Sequence, residues 1–222
     1  MFDFLQGYDV LGAFWTTVKL TVLSALGSLV LGTLLAAMRV SPVPLMRGFG
    51  TAYVNIVRNI PLTVIIVFSS LGLADIFGVT MGAPDNFDVQ GFRLAVLSLV
   101  GYHAAFVCEA LRSGINTVPV GQAEAARAIG LGFGQTLRLI VLPQAFRAVI
   151  VPLANVLIAL TKNTTVAAAI GVAEAATLMK TMIENEAQTV LIAAVFAFGF
   201  VVLTLPTGLF LGWLGKRLAV KR

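Results

Sequence analysis

Residues 187–215 read AQTVLIAAVFAFGFVVLTLPTGLFLGWLG, a run that contains no charged side chain. A membrane-spanning helix needs about 20 mostly apolar residues. This run is long enough to cross a bilayer with some tilt. It therefore predicts that the chain is a membrane protein.

The composition of the whole chain supports the same prediction. Of the 222 residues, 59% are hydrophobic and only 11% are charged, whereas soluble domains carry roughly 25% charged residues. A soluble fold of this size would have to expose much of its apolar surface to water. The length fits a single domain that covers residues 1–222.

Four other apolar runs are predicted to span the membrane, at residues 20–38, 48–74, 92–111 and 146–161. The first of these is long for a signal peptide, and Asp3 and Asp9 precede it in place of a basic segment. We therefore expect a retained span there. Together with residues 187–215, the predicted total is five spans.

The loops between the predicted spans differ in charge, and this difference sets the expected orientation. Basic residues lie after the first span, around the third loop and at the carboxyl end: Arg39, Arg47, Arg112, Arg127, Arg138, Arg147, Lys216, Arg217, Lys221 and Arg222. Acidic residues lie in the other two loops: Asp75, Asp85, Asp88, Glu174, Glu184 and Glu186. Because Lys and Arg concentrate in cytoplasmic loops, we expect the amino terminus outside and the carboxyl terminus inside. The net charge of +5 then reflects orientation and not binding to nucleic acid.

Small side chains repeat every four residues in the first span, at Ser24, Ser28, Gly32 and Ala36, and a similar pair, Gly208 and Gly212, lies in the last span. Such stripes let helix backbones approach closely. They fit packing within the chain or contact with another subunit, and both remain open at this point. The inverted duplication that secondary transporters show is not visible in the sequence.

The connection between the third and fourth spans reads GQAEAARAIGLGFGQTLRLIVLPQA at residues 121–145. Pro119 precedes a short helix-forming stretch, Glu124 is expected near its start, where the helix dipole favours a carboxylate, and Gly130 suits a left-handed cap. This Ala-rich helix fits either a groove of another protein or the bilayer surface. The glycines after it lack the Lys and Ser/Thr of a phosphate loop, so we expect no ATP site on this chain.

Ionisable residues inside predicted spans are costly and usually functional. Here they are Arg58, Glu109, Arg112 and Lys162. Arg112 also fits a side chain that reaches the membrane surface, and Glu109 with Arg112 fits a local ion pair. The lone His103 favours a hydrogen-bonded side chain over a metal ligand, and the sequence shows neither a metal-binding cluster nor a Ser-His-Asp set. The single Cys108 excludes an internal disulfide.

The spacing Glu-Ala-Ala, three residues, Gly, nine residues, Ile-x-Leu-Pro resembles the signature loop of permease subunits of ABC importers. Further motifs resemble those of polar amino-acid permeases: Arg58-Asn-Ile-Pro61-Leu62, Phe106-Val-Cys-Glu109-Ala-Leu-Arg112-Ser-Gly-Ile115, Leu142-Pro-Gln-Ala145 and Lys162-Asn-Thr-Thr165. Within the second motif, the phrase Cys108-Glu-Ala-Leu-Arg-Ser-Gly is most similar to glutamate permeases of actinobacteria. The resemblance covers about residues 10–215. It implies an all-α membrane protein with the type I importer permease fold.

The resemblance also implies roles for particular residues. The coupling helix that docks on an ATPase subunit would lie in a cytoplasmic loop at about residues 113–145 and would include Glu124, Ala125, Ala126 and Gly130. The substrate path would include Pro61, Phe106, Glu109, Arg112, Lys162, Asn163, Thr164 and Thr165. Ile60, Phe106 and Asn163 replace the Thr, Tyr and Asp of the family pattern. Asn in place of Asp favours an acidic or neutral substrate over a basic one.

By resemblance, the expected function is ATP-driven import of polar amino acids, with glutamate favoured, in a bacterial cell membrane. The expected partners are two ATPase subunits that bind ATP and Mg, a second permease that forms a heterodimer, and an extracellular binding protein. The chain itself is expected to be a transporter subunit without a cofactor and not an enzyme. The alternatives are a lipid-modifying membrane enzyme, which would need an Asp or His cluster, and a secondary transporter, which would show an inverted repeat.

Overall fold

The computed structural model describes residues 7–82 and 85–218, and all regular structure in these two stretches is helical. The helices are α1 (Val10–Val40), α2 (Pro44–Asn59), α3 (Leu62–Val67), α4 (Phe87–Asn116), α5 (Val120–Ala128), α6 (Phe133–Thr136), α7 (Leu142–Asn163), α8 (Ala175–Asn185) and α9 (Thr189–Leu218). Two π-helical stretches, Phe68–Ile76 and Leu137–Val141, and one 3₁₀ stretch, Thr164–Ile170, extend them. The prediction of an all-α fold is confirmed.

Four helical stretches are long and apolar enough to cross a membrane: α1, α4, α9 and the continuous Phe133–Ile170. A fifth crossing requires that α2 and the α3 stretch be counted as one broken span. Four of the five predicted spans, at residues 20–38, 92–111, 146–161 and 187–215, therefore have a counterpart in the structure. The second predicted span differs. Residues 48–74 do not form one straight helix, because the chain bends by 101° between α2 and α3.

The bend follows from the local sequence. Ile60 is extended, with φ −97° and ψ 131°, as expected for a residue that precedes proline. Pro61 lacks the amide hydrogen that would continue α2, and it is instead the N-cap of α3, which begins at Leu62. Apolar composition alone does not predict the direction that the chain takes after Pro61.

The first small-residue stripe packs inside the chain. Ser24, Ser28, Gly32 and Ala36 are all buried, and α1 makes its most extensive contact with α4. A Cβ atom at Gly32 would lie 2.6 Å from the Cβ of Val107, so the two backbones approach closely there. The stripe is thus explained by helix packing within the subunit.

The last span has a different environment. Only 11% of the most apolar window of α9 is buried inside the chain, and Phe198, Leu205 and Phe210 are exposed. A Cβ atom at Gly208 would contact Ile158, whereas nothing lies near Gly212. Much of the α9 surface is therefore open to lipid or to another subunit.

Glu174 fastens the start of α8 to α1, although α8 itself was not predicted. The carboxylate is fully buried and accepts hydrogen bonds from the Thr177 amide at 3.0 Å and from the Thr17 hydroxyl at 3.2 Å. The Thr17 hydroxyl in turn accepts from the Ala175 amide at 3.1 Å. Burial raises the pKa of Glu174, while these hydrogen bonds act in the opposite direction.

The substitution Gly32→Val should destabilise the packing of α1 on α4. Its Cβ would meet Val107 and the Ala104 carbonyl oxygen at 2.6 and 2.8 Å, and overpacking of this kind costs about 1–3 kcal/mol. We expect a lower Tm for the purified protein in detergent. The matched control is Gly48→Val, because residue 48 lies in α2 with nothing within 4 Å of a Cβ atom. Equal Tm values for the two variants would contradict the packing role.

Candidate functional site

A cavity of about 360 Å³ lies between α4 and α7. It is lined by Tyr102, His103, Phe106, Asn155, Val156, Ala159 and Asn163. Three of the four α7 residues, Asn155, Ala159 and Asn163, recur every four positions and so share one helix face. Two residues of the predicted substrate path, Phe106 and Asn163, therefore line the same cavity.

Asn163 is tied across this cavity wall to His103. The ring of His103 is 1% exposed. Its Nδ1 lies 3.0 Å from the Leu99 carbonyl oxygen, and its Nε2 lies 3.1 Å from Nδ2 of Asn163. The prediction of a hydrogen-bonded histidine is confirmed, but its partner, sixty residues away in the chain, was not predicted.

Aromatic rings form one wall of the cavity. The Tyr102 ring centre lies 5.0 Å from that of Phe106 and 5.2 Å from that of His103. The guanidinium carbon of Arg58 lies 5.8 Å from the Phe106 ring centre, within range of a cation–π interaction. Phe106 thus links the cavity to a cationic side chain on α2.

Arg58 belongs to an ionic cluster that joins three helices. Glu109 on α4 pairs with Arg39 at the end of α1, and its other carboxylate oxygen lies 3.5 Å from Arg58 on α2. The cluster holds two positive charges and one negative charge. Among the described residues, Glu109 forms no ion pair with Arg112, which is exposed. The local ion pair considered from the sequence is therefore not formed.

Arg39 was assigned to a loop from the sequence and its contact with Glu109 was missed. Its side chain is only 7% exposed, and Gly50 on α2 leaves room for it, since a Cβ there would lie 2.9 Å from the Arg39 Cγ. One feature of the sequence could have indicated the contact between Arg39 and Glu109. Arg39 and Glu109 lie toward those ends of the first and third spans that face the same side of the membrane.

The other predicted path residues do not line the cavity. Pro61 is exposed at the bend between α2 and α3. Lys162 is also exposed. The hydroxyls of Thr164 and Thr165 donate to the carbonyl oxygens of Thr161 and Lys162 at 2.7 and 2.8 Å, which shapes the turn from α7 into the 3₁₀ stretch.

The predicted coupling helix forms as α5, which begins directly after Pro119. Gly130 has a φ of +94°, so the predicted left-handed cap is confirmed. The Gly130 amide donates to the Arg127 carbonyl at 3.0 Å, and the Leu131 amide donates to the Ala126 carbonyl at 3.1 Å. This is the two-bond pattern of a Schellman cap.

The expected position of Glu124 near the start of α5 is wrong. The helix begins at Val120, so Glu124 is its fifth residue and lies beyond the first turn. Glu124, Ala125 and Gly130 are exposed, and Ala126 is buried against the chain. The outer face of α5 is therefore open to a partner.

A side-chain hydrogen bond connects α5 to the start of α7. Gln144 Nε2 donates to Gln122 Oε1 at 2.6 Å and lies 2.9 Å from the Ile140 carbonyl oxygen. The same α7 carries Asn163 at its other end. The helix α5 and the cavity are thus joined through one continuous helix.

Comparison with known proteins gives consistent results. The chain matches the family described as "Binding-protein-dependent transport system inner membrane component" over residues 28–220. It is 56% identical to the glutamate transport system permease protein GluC of Corynebacterium efficiens and to that of Corynebacterium glutamicum, covering 97% of this chain and 96% of each relative. It is 34% identical to the probable glutamine ABC transporter permease protein GlnM of Bacillus subtilis, over 98% of this chain and 96% of the relative.

Solved structures show the same architecture. A chain from the crystal structure of an amino acid ABC transporter with histidines superposes with a TM-score of 0.84 at 25% identity, over 94% of this chain and 93% of that chain. The inward-facing MetNI methionine ABC transporter gives a TM-score of 0.76 at 20% identity, over 95% of this chain and 96% of that chain. This second likeness concerns the fold alone.

The matched relatives are transporter subunits and not enzymes, and the apolar helices agree with a multi-pass membrane protein. The chain therefore belongs to the inner membrane components of binding-protein-dependent transport systems and, among these, to the polar amino-acid permease subunits of ABC importers.

Proposed function

We propose that this chain is the permease subunit of an ATP-driven importer that carries L-glutamate across a bacterial cell membrane. The observation that carries the proposal is the 56% identity, over nearly the full length, to two glutamate transport permeases. The alternatives of a lipid-modifying enzyme and a secondary transporter have no comparable support.

The charges near the cavity support an acidic substrate. Glutamate brings two carboxylates and one ammonium, and a buried carboxylate without a cationic partner is prohibitively costly. Arg39 and Arg58 together exceed the charge of Glu109 by one unit, and Arg58 lies against the Phe106 ring that lines the cavity. The neutral Asn163 adds no negative charge to this environment.

The proposed assembly contains a second permease, two ATPase subunits and an extracellular binding protein. The ATPase would dock on the exposed face of α5, where Glu124 and Ala125 are accessible. ATP and Mg would bind to the ATPase alone. Closure of the ATPase pair would move α5, and the Gln122–Gln144 hydrogen bond would pass that movement to α7. The result would be alternating access of the cavity to the two sides of the membrane.

The proposed orientation places the amino terminus outside and α5 in the cytoplasm, as ATPase docking requires. A periplasmic or external reporter, such as alkaline phosphatase, should be active when fused at the amino end and inactive when fused after residue 222. A fluorescent protein should give the reverse result. Reporters at the two ends that indicate the same side would contradict an odd number of spans.

The substitution Gly130→Val should reduce ATP-dependent glutamate uptake by reconstituted complex several-fold, with normal membrane insertion. A β-branched residue at φ +94° is strained by roughly 1–2 kcal/mol or more, which would disrupt the cap and the docking surface. The matched control is Gly134→Val in the same loop, where φ is not positive and nothing lies within 4 Å of a Cβ atom. Equal uptake by both variants would exclude a role for the cap.

The substitution Asn163→Asp should lower glutamate uptake relative to glutamine uptake. Both substrates carry the same ammonium and α-carboxylate, so the added negative charge distinguishes them only through the side-chain carboxylate. Proteoliposomes with the complete complex and each labelled amino acid provide the measurement. Equal changes for the two substrates would remove the charge argument, and wild-type uptake without the ATPase would contradict the importer class.

A further inference from the structure

The hydrogen bonds of His103 determine how the amide of Asn163 is oriented. The Leu99 carbonyl can only accept a hydrogen bond, so Nδ1 of His103, 3.0 Å away, must carry the proton. In a neutral imidazole the other nitrogen, Nε2, is then an acceptor. Only the NH₂ group of Asn163 can donate to it, in agreement with the 3.1 Å contact between Nε2 and Nδ2.

The neutral form of the ring fits its surroundings. His103 is 1% exposed, and its described neighbours are the Tyr102 and Phe106 rings, the Leu99 carbonyl and Asn163. No carboxylate among the described residues pairs with it. A buried imidazolium without an anionic partner would be costly.

Because Nδ2 faces His103, the carbonyl oxygen Oδ1 on the other branch of the amide faces away from the ring. Asn163 lines the cavity between α4 and α7 and is partly exposed. We propose that His103 is a positioning residue that presents the Asn163 carbonyl oxygen to the cavity, where it binds the α-ammonium group of the transported amino acid. This inference rests on the proposed function and identifies which end of the substrate this part of the site recognises.

The surroundings of Oδ1 suit an ammonium group. An ammonium has three donors and no acceptor, so it complements a carbonyl oxygen. The Tyr102 and Phe106 rings line the same cavity, and aromatic faces attract cations.

The other end of the substrate is assigned by the charges along α4. His103, Phe106 and Glu109 follow each other at intervals of three residues, which corresponds to about 9 Å along the helix from the first to the last. The cationic cluster of Arg39 and Arg58 lies at the Glu109 end. The amino acid therefore binds with its ammonium toward Asn163 and its carboxylates toward the arginines.

The test is glutamate uptake by the complete complex in proteoliposomes carrying His103→Phe. This variant keeps a ring and removes the Nε2 acceptor, so the Asn163 amide loses its fixed orientation. We expect the KM for glutamate to rise about tenfold, as for the loss of one hydrogen bond to a charged group, and the maximal rate to change far less. His103→Gln, whose side-chain oxygen can accept the same hydrogen bond, should restore most of the wild-type KM.

A purely structural role of His103 makes different predictions. In an Asn163→Ala background, His103→Phe should have no further effect on KM if the two residues act through one hydrogen bond. Glutarate, which keeps both carboxylates and lacks the ammonium, should not compete with glutamate. The proposal is overturned by a wild-type KM in His103→Phe, by an equal rise in the Asn163→Ala background, or by glutarate competing as well as unlabelled glutamate.

Two controls separate the possible failures. If His103→Phe does not assemble, His103→Leu, which also lacks an acceptor for the Asn163 amide, takes its place and should raise the KM in the same way. If the wild-type complex takes up no glutamate, the proposed function fails together with this inference. If the wild-type complex takes up glutamate and His103→Phe has the same KM as the wild type, only the role of His103 is wrong.

Discussion

The carboxylate of Glu109 requires cationic partners, because an unpaired charge in a membrane protein interior costs several kcal/mol. Its partners come from two other helices, Arg39 at the end of α1 and Arg58 at the end of α2. These ion pairs hold α1, α2 and α4 together near the cavity. They also require α2 to end where the Arg58 side chain can reach Glu109. After α2 the chain bends by 101° and continues into α3 in a different direction.

The ionic cluster also relates packing to substrate chemistry. It leaves one positive charge uncompensated beside Phe106, while the opposite end of the cavity is neutral and offers oxygen and aromatic surfaces. A zwitterionic molecule with an extra carboxylate matches this asymmetry better than a cationic one does. Under the proposed function, the scaffold and the substrate selectivity would depend on some of the same side chains.

Much of the fold was predictable because membrane helices are encoded by local composition. Hydropathy predicted α1, α4 and α9, and the φ of Gly130 was predictable because a helix cap involves only adjacent residues. The bend at Pro61 was not predicted, since hydropathy measures how apolar a run is and not where it points. The short helix α8 was missed as well, because its eleven residues cannot span a membrane.

The site was predicted less completely, and the reason is again physical. Phe106 and Asn163 were identified from local motifs, but the contact of Asn163 with His103 joins residues far apart in the chain. The sequence places Arg39 in a loop, because charge alone does not reveal burial. Contacts of this kind depend on how α1, α4 and α7 pack, which a single sequence does not specify.

The π-helical turn Leu137–Val141 has a consequence for the evolution of chain length. The Leu142 amide donates to the Leu137 carbonyl, five residues back, so this turn contains one residue more than an α-helical turn would. Deletion of one residue here would restore ordinary α-helical spacing while the hydrogen bonds inside α5 and α7 stay intact. Single-residue insertions and deletions among homologous chains should therefore be tolerated at this turn more readily than within either neighbouring helix.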